Sequence, residues 1–362
     1  MSADLRPPRV AAVRDRLARD GLDALVVTHL PNIRYLTGFS GSAAMAVVSA
    51  GEVTLVTDFR YATQAPAEVG NAARVVVDRV NVWDLLGRTL EGLDPATVGI
   101  EAAHVTVQDA GRLSEAGKFR IVPVTDLVER LRAAKAPAEV QAIRRAAELA
   151  QEALAEVLPD VAPGQSELAI ASRLEAALRV RGSEWHPFPT IVAAGPRSAL
   201  PHARSTSRPV GRGDLLLLDF GAQVDGYCAD LTRMAVVGAP ADSRQRDVHA
   251  VVQAAQERAI TGIRPGMTGR EADALARDVI AARGFGEMFG HSLGHGLGLE
   301  VHEGPRLSPT ADALLPLHAV VTIEPGVYLP GWGGIRLEDD IHLGPDGAVC
   351  LSDNRTELIE LL

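Results

Sequence analysis

Two aspartates and two glutamates raise the question of chemistry in this chain. Asp219 and Asp230 lie in "GDLLLLDFGAQVDGYCADLTRMAVV" (213–237). An apolar run, an Asp-Gly turn signal and a second apolar run read there as a β-hairpin. The midpoint between the aspartates falls between Val224 and Asp225, inside the turn. A hairpin centred there sets the two side chains directly opposite on one face, with Cβ atoms roughly 5 Å apart. Glu324 and Glu338 lie in "HAVVTIEPGVYLPGWGGIRLEDDIHL" (318–343), with their midpoint at Gly331, again in a turn region whose prolines loosen the register. Like charges so placed destabilise a sheet unless a proton is shared or a cation stands between them. Two divalent ions would balance the four carboxylates. Hard oxygen donors joined by one imidazole suit Mn2+, Co2+ or Zn2+.

The imidazole is supplied by "HSLGHGLGLEVHE" (291–303), which holds three of the ten histidines, His291, His295 and His302. Glycines flank His295 and let the backbone approach closely. The stretch is not the His-Glu-x-x-His zinc motif, because Ser292 stands where the glutamate would be, and its glycine spacing does not fit a dinucleotide loop. Each residue also has a plain reading: Asp225 as a turn residue, "EPG" as a strand end, Asp339 and Asp340 as solvated acids, the histidine cluster as a hydrogen-bonded loop. The five residues Asp219, Asp230, His295, Glu324 and Glu338 together are harder to explain that way.

The elements that must position them are repeated. "VAPGQSELAIASRLEAALRVRG" (161–182) and "IRPGMTGREADALARDVIAARG" (263–284) share an apolar residue, Pro-Gly, a helix N-cap at Ser166 or Thr268, and a closing Arg-Gly, without a gap. Thr268 and Glu271 fit a capping box. A helical stretch precedes each copy (137–158 and 243–262) and apolar strands follow each. Such a duplication predicts a pseudo-symmetric domain with strands of both halves in one sheet. Upstream, "RVAAVRDRLARDG" reads as a helix, and "DALVVTH", "AMAVVSA", "VTLVTD" and "RVVVD" read as strands, the pattern of a small α/β domain. The change of pattern near "RAAKAPAEV", where Pro137 opens a long helix, places the domains at 1–130 and 131–362.

Composition narrows the partners. The 362 residues are 47% hydrophobic but 4% aromatic, so the cores must be aliphatic. A formal charge of −10 argues against nucleic acid or an anionic membrane as partner. The two cysteines, Cys228 and Cys350, make no disulfide framework. Neither a signal-peptide core nor a run of membrane-spanning length is present, and a cytoplasmic protein is expected.

The set Asp219, Asp230, His295, Glu324 and Glu338, with the contexts "GHGLGLEVHE", "TIEPGVY" and "GIRLEDD", resembles the ligand signature of the pita-bread metallopeptidases: methionine aminopeptidase, aminopeptidase P and prolidase. Residues 1–130 resemble the creatinase-type N-terminal domain of the Xaa-Pro branch, most visibly in "PNIRYLTGFSGSAAMAVVSAGEVTLVTDFRY" (31–61). The resemblance implies an α/β (α+β) protein with a pseudo-two-fold catalytic domain. It implies that Asp219 binds one ion, His295 and Glu324 the other, and that Asp230 and Glu338 bridge both. It implies substrate contacts from His202, in "ALPHARS", and from His291 and His302. Arg336 and Tyr328 would steady the ligands, and Glu324 would also move protons. The expected cofactor is a pair of divalent ions, manganese first and cobalt or zinc next. The expected substrate is a peptide with proline second, attacked by water activated between the ions, and the expected assembly is a homodimer.

An Xaa-Pro aminopeptidase is the first expectation, because residues 31–61 look closer to that kind of domain. An Xaa-Pro dipeptidase shares every ligand and differs in needing an Arg or His to capture the free carboxylate after proline. Methionine aminopeptidase is disfavoured by the extra N-terminal domain, and creatinase by the complete metal set. A catalytically inactive binding protein on the same fold is the alternative of another class. The intact ligand set and the ending "DNRTELIELL", without a charged tail, count against it.

Overall fold

The computed structural model describes residues 4–353 and 356–362, so Asn354 and Arg355 of the C-terminal "DNRTELIELL" lie outside the described residues. The chain forms two units, Met1–Arg132 and Ala133–Leu362. No helix among the described residues is long and apolar enough to cross a membrane.

The first unit is built on a six-stranded mixed sheet, in the order 74–78, 53–58, 44–49, 24–27, 97–101, 120–124. The four apolar runs read as strands all take their places in it. The first helix, Arg6–Asp20, stops where Gly21 adopts φ 65°, a left-handed conformation that glycine enters at no steric cost. Its core is aliphatic, formed by Val26, Val47, Val56, Leu86, Leu90 and their neighbours.

The duplication is plain in the second unit. Helices Pro137–Val157 and Glu167–Val180 precede the strands of the first half, and helices Ser243–Gly262 and Gly269–Ala282 those of the second. Ser166 Oγ accepts from Ala169 N–H, and Thr268 with Glu271 forms the expected capping box. The turns ahead of the caps match bond for bond. Gly164 and Gly266, at φ 91° and 84°, each donate to a downstream carbonyl at 2.8 Å, that of Val210 and that of Leu315. Val210 and Leu315 N–H return bonds to Gln165 and Met267, at 2.8 and 2.7 Å.

The first half carries a four-stranded sheet, in the order 359–361, 231–237, 215–220, 191–194. "LLLLDF" is an unbroken apolar run because the sheet is covered on both faces. Leu216 and Leu218 pack on the helices of the first half, while Leu215 and Leu217 join the core of the second. Asp219 continues the second face. The other half carries five strands, in the order 303–307, 294–296, 320–323, 339–344, 347–350.

The expectation of one shared sheet is corrected. Among the described residues the two ladders meet at one isolated antiparallel bridge, Thr232 with Glu338. Side chains take over the backbone groups beside it. Asp230 N–H donates to Asp340 Oδ2 (3.2 Å), and the Glu338 carbonyl accepts from Arg233 Nη1 (2.7 Å).

Candidate metal centre

The first hairpin differs from the expected register. Thr232, not Asp230, stands across from Asp219, because Asp225 and Gly226 together occupy the centre of the turn, at φ 50° and 80°. Positive φ at both central residues is the tight Asp-Gly hairpin turn, and it shifts the centre by one residue. Asp230 and Thr232, two apart, share a face, so Asp230 lies diagonally from Asp219. The second hairpin keeps the expected centre. Gly326 pairs with Arg336 and Ile323 with Asp339, so both ladders count Glu324 opposite Glu338 about Gly331. The ladder breaks only between them, where Pro325 lacks a donor. There Glu324 N–H goes to the Leu293 carbonyl (2.8 Å), and Glu338 N–H crosses to the Thr232 carbonyl of the first half (3.3 Å).

The five residues converge in overlapping groups. Asp219, Asp230 and Glu338 offer oxygens all within 4.8 Å of one another, and so do the donor atoms of His295, Glu324 and Glu338. Asp230, His295 and His302 form a third such group. Gly294 and Gly296 are required beside His295, since a Cβ at either would collide with a backbone carbonyl, that of Thr322 or that of Gly304. His295 Nδ1 lies 3.1 Å from the Gly296 carbonyl, which can only accept, so the ring proton sits there. The other ring nitrogen, Nε2, faces Glu324 Oε1 at 3.3 Å and Asp230 Oδ2 at 3.9 Å.

Burial makes this an unfavourable collection of charge. Asp230 and Glu338 are pushed well above the usual carboxylate range, first by burial, then by neighbouring carboxylates, Glu338 and Asp219 for Asp230 and Glu324 and Asp219 for Glu338. Burial also raises Asp219, against the pull of Arg336. Glu324 is the exception. Burial opposes its charge, but the His295 hydrogen bond, with His291 and Arg336 nearby, holds it below the usual range. Asp219 Oδ1 and Asp230 Oδ1 are buried without a hydrogen-bond partner. Acceptors facing acceptors, hard oxygen donors and one oriented imidazole fit divalent cations.

Two arginines hold the site, each reaching from one half to the other. Arg336, on the second half, pairs with Asp219 and donates from Nε to Thr232 Oγ1 (3.1 Å), which donates to Glu338 Oε2 (2.6 Å). Arg233, on the first half, donates to the Glu338 carbonyl and pairs with Asp339 at 2.7 Å. Asp339 and Asp340 are fully buried, which corrects the reading of them as solvated. Burial pushes Asp340 well above its ordinary value.

Tyr328 links Arg336 to a histidine: its hydroxyl accepts from Arg336 Nη1 (3.1 Å) and lies 2.8 Å from His291 Nε2. His291 Nδ1 lies 2.8 Å from the Ser292 carbonyl, so His291 has both ring nitrogens engaged, and burial lowers its pKa below the ordinary value. His302 is exposed, its ring edge-on to His295 at 4.2 Å. His202 is exposed too, close enough to act electrostatically on Asp219, His291 and His302.

Sequence reasoning missed Thr232, Arg233 and Arg306. The first had a signal, since Thr232 follows Asp230 by two on the same strand. Arg306 stands opposite His295 in the ladder between 294–296 and 303–307, is exposed, and acts on His302. Opposed residues share a face, so Arg306 adds a positive charge at the rim.

A duplicated helix-and-sheet domain that brings four carboxylates and an imidazole within ligand distance defines a metal-dependent enzyme. Residues 141–345 match metallopeptidase family M24, and residues 9–134 match the Creatinase/Prolidase N-terminal domain. The chain belongs to metallopeptidase family M24. It is 40% identical to the uncharacterized peptidase YqhT of Bacillus subtilis, over 98% of this chain and 100% of that one. Among solved structures, an Xaa-Pro dipeptidase from Bacillus anthracis is 36% identical with a TM-score of 0.95, covering 98% of this chain and 100% of its own. An X-Pro aminopeptidase from Thermotoga maritima is 38% identical with a TM-score of 0.88, covering 96% and 100%.

Proposed function

We propose that this M24 metallopeptidase hydrolyses the Xaa-Pro bond, and that it acts on dipeptides. The single observation that carries the dipeptide reading is Arg306, an exposed guanidinium across the ladder from His295. A dipeptide presents a free carboxylate directly after the scissile bond, and a planar guanidinium binds one in bidentate fashion. The likeness to the B. anthracis Xaa-Pro dipeptidase supports the same reading.

In this proposal Asp219 would hold one divalent ion, His295 and Glu324 would hold another, and Asp230 and Glu338 would serve both, with manganese the first choice among ions that suit the donors. Such ions, when bound, lower the pKa of water and polarise the scissile carbonyl. Glu324, kept ionised by its neighbours, takes the proton of the attacking water at its carboxylate and delivers it to the leaving nitrogen. Among the described residues His302, unlike His291, makes no ring-nitrogen hydrogen bond, so it is the histidine that donates to the developing oxyanion. His202 lines the opening. The leaving group is proline nitrogen, a tertiary amide without N–H, so recognition must come from ring shape and from the carboxylate. A homodimer is part of the proposal.

The aminopeptidase reading rests on a different observation: Arg306 and His302 are both exposed, so longer peptides have room to leave the site. Hydrolysis of Ala-Pro and of Ala-Pro-Ala by manganese-loaded protein, with wild type and Arg306→Gln, separates the two. Dipeptide preference, with KM for Ala-Pro raised roughly tenfold or more in the variant, is expected from loss of a charged hydrogen bond. Equal cleavage of both peptides and an indifferent variant would overturn the dipeptide reading in favour of the aminopeptidase.

A further inference from the structure

We infer that Lys135 is a positioning residue for the histidine loop of the site. This rests on the peptidase reading above only for the step that His302 performs. Lys135 is sealed from solvent, its side chain 1% exposed, and its Nζ lies 2.8 Å from Oε1 of Glu303, itself 5% exposed. The two are far apart in sequence and both lie in the second unit. Lys135 is fixed at its backbone as well, donating to the His318 carbonyl at 2.9 Å.

Glu303 sits at a strategic point. It directly follows His302, and in the ladder it pairs with Gly296, the residue after His295. Its carboxylate fills the space over the turn that joins the two histidines, close enough that a Cβ at Gly298 would lie 2.7 Å from Oε1. Gly298 is tied in turn to the first hairpin, its carbonyl accepting from Cys228 N–H at 2.8 Å, two residues before Asp230. One ammonium therefore anchors the carboxylate on which both ends of the 295–302 segment depend.

A buried ion pair is an uneconomical way to gain stability, since desolvation offsets most of the attraction, whereas apolar packing would serve a merely structural need. Opposite charges instead fix one geometry. His302 is exposed and edge-on to His295, and its ring nitrogens make no hydrogen bond among the described residues, so its direction is set by the backbone beside it. Lys135 acts on that backbone through Glu303.

The test uses the full chain in three forms: wild type, Lys135→Met, and the double variant Lys135→Met with Glu303→Leu, which removes both members of the pair. Amide hydrogen exchange of residues 296–303 is measured without metal or substrate. kcat and KM are measured with metal on whichever peptide wild type cleaves best. Faster exchange confined to 296–303 is expected in both variants, with kcat lowered about tenfold or more, as for other groups that orient a metal site, and KM little changed. The double variant should melt closer to wild type than Lys135→Met does without recovering kcat, and it carries the test if Lys135→Met alone does not fold. Wild-type kcat in the double variant, or unaltered exchange at 296–303, would overturn the inference. Because exchange is read without substrate, a wrong assignment of peptide preference leaves that measurement intact.

Discussion

The two halves of the second unit are copies that divide the labour unequally. In the first half the outer strand, Ile191–Ala194, is purely apolar and contributes no ligand atom. Its counterpart, Gly294–Gly296, carries His295 and pairs with the strand bearing Arg306. The central hairpins differ in the same spirit. The first closes on a two-residue Asp-Gly turn and sets its aspartates on a diagonal, while the second is broken at Pro325 and sets its glutamates opposite each other. The difference teaches where the asymmetry of the site originates. The first half supplies two oxygen donors on a continuous sheet. The second interrupts its own ladder and lends a backbone N–H, that of Glu338, to the first.

The largest effect should follow from removing a ligand shared between groups. Asp230 and Glu338 each belong to two of the three donor groups, one from each half. Asp230→Ala and Glu338→Ala should lower kcat/KM alike, on the order of a thousandfold or more, as when one member of a catalytic unit is lost. Metal content by mass spectrometry should fall in both. A variant that kept wild-type metal content and rate would show that its half is dispensable.

Next in size are the exchanged arginines. Arg233→Met leaves Asp339 buried beside Gln256 and Ser352 without its cation, and breaking such a pair costs about 3–5 kcal/mol. The urea midpoint of the metal-free protein checks this. Arg336→Lys retains the charge but loses the fork that spans Asp219, Thr232 and Tyr328. Metal affinity should weaken about 10–100-fold, by calorimetric titration, with less change in the urea midpoint than for Arg233→Met. The reverse ranking would mean that both arginines serve the fold alone.

Much of this arrangement could be read from the residues themselves. The helix caps at Ser166 and Thr268 follow from local chemistry, and local chemistry is what a sequence displays. Gly331 could be found as the centre of the second hairpin because both flanking ladders agree on it. The first centre was displaced by one residue because Asp225 and Gly226 act as a pair, which a midpoint between ligands does not reveal. Asp339 and Asp340 could not be recognised as buried, since their cover comes from residues more than eighty positions away, such as Gln256 and Arg233. Lys135 was hidden for the same reason, its partner Glu303 lying 168 positions away. Arg306 was hidden because the register of its ladder shifts between His295 and Gly296, which no local periodicity marks.

Titration sharpens the comparison further. Asp219, Asp230, Glu338 and Asp340 have folded pKa values raised above their unfolded ones. Their contribution to stability is fully present below the unfolded value, about 4, and is lost as pH rises through the folded values. Glu324 runs the other way. Its folded pKa is lowered, so its contribution is present above the unfolded value and lost as pH falls through the folded one. Four groups outweigh one, so the melting temperature of metal-free protein should fall as pH is raised from 5 to 8. Metal binding displaces those protons, so added manganese should raise the melting temperature more at pH 8 than at pH 5. A metal-free melting temperature that rose over this range would show that the acids are neutralised by some other means.

The smallest effect concerns the turns. Gly226 and Gly331 both hold left-handed backbone, at φ 80° and 81°, and alanine at either should cost about 1–2 kcal/mol by forcing a Cβ into that region. The loops differ in slack. Gly226 lies in a two-residue turn clamped between Val224 and Tyr227, whereas Gly331 lies in a three-residue connection between Leu329 and Gly333. Strain at Gly226 has no loop to absorb it and passes into the strands that carry Asp219 and Asp230. Strain at Gly331 is taken up by the loop, and the ladders on either side of Glu324 and Glu338 keep them in register. Gly226→Ala should therefore weaken metal binding as well as lower the melting temperature, while Gly331→Ala should lower the melting temperature alone. Equal loss of metal affinity in the two variants would mean that the turn has no privileged hold on the aspartates, and that the strand pairs set both carboxylate geometries.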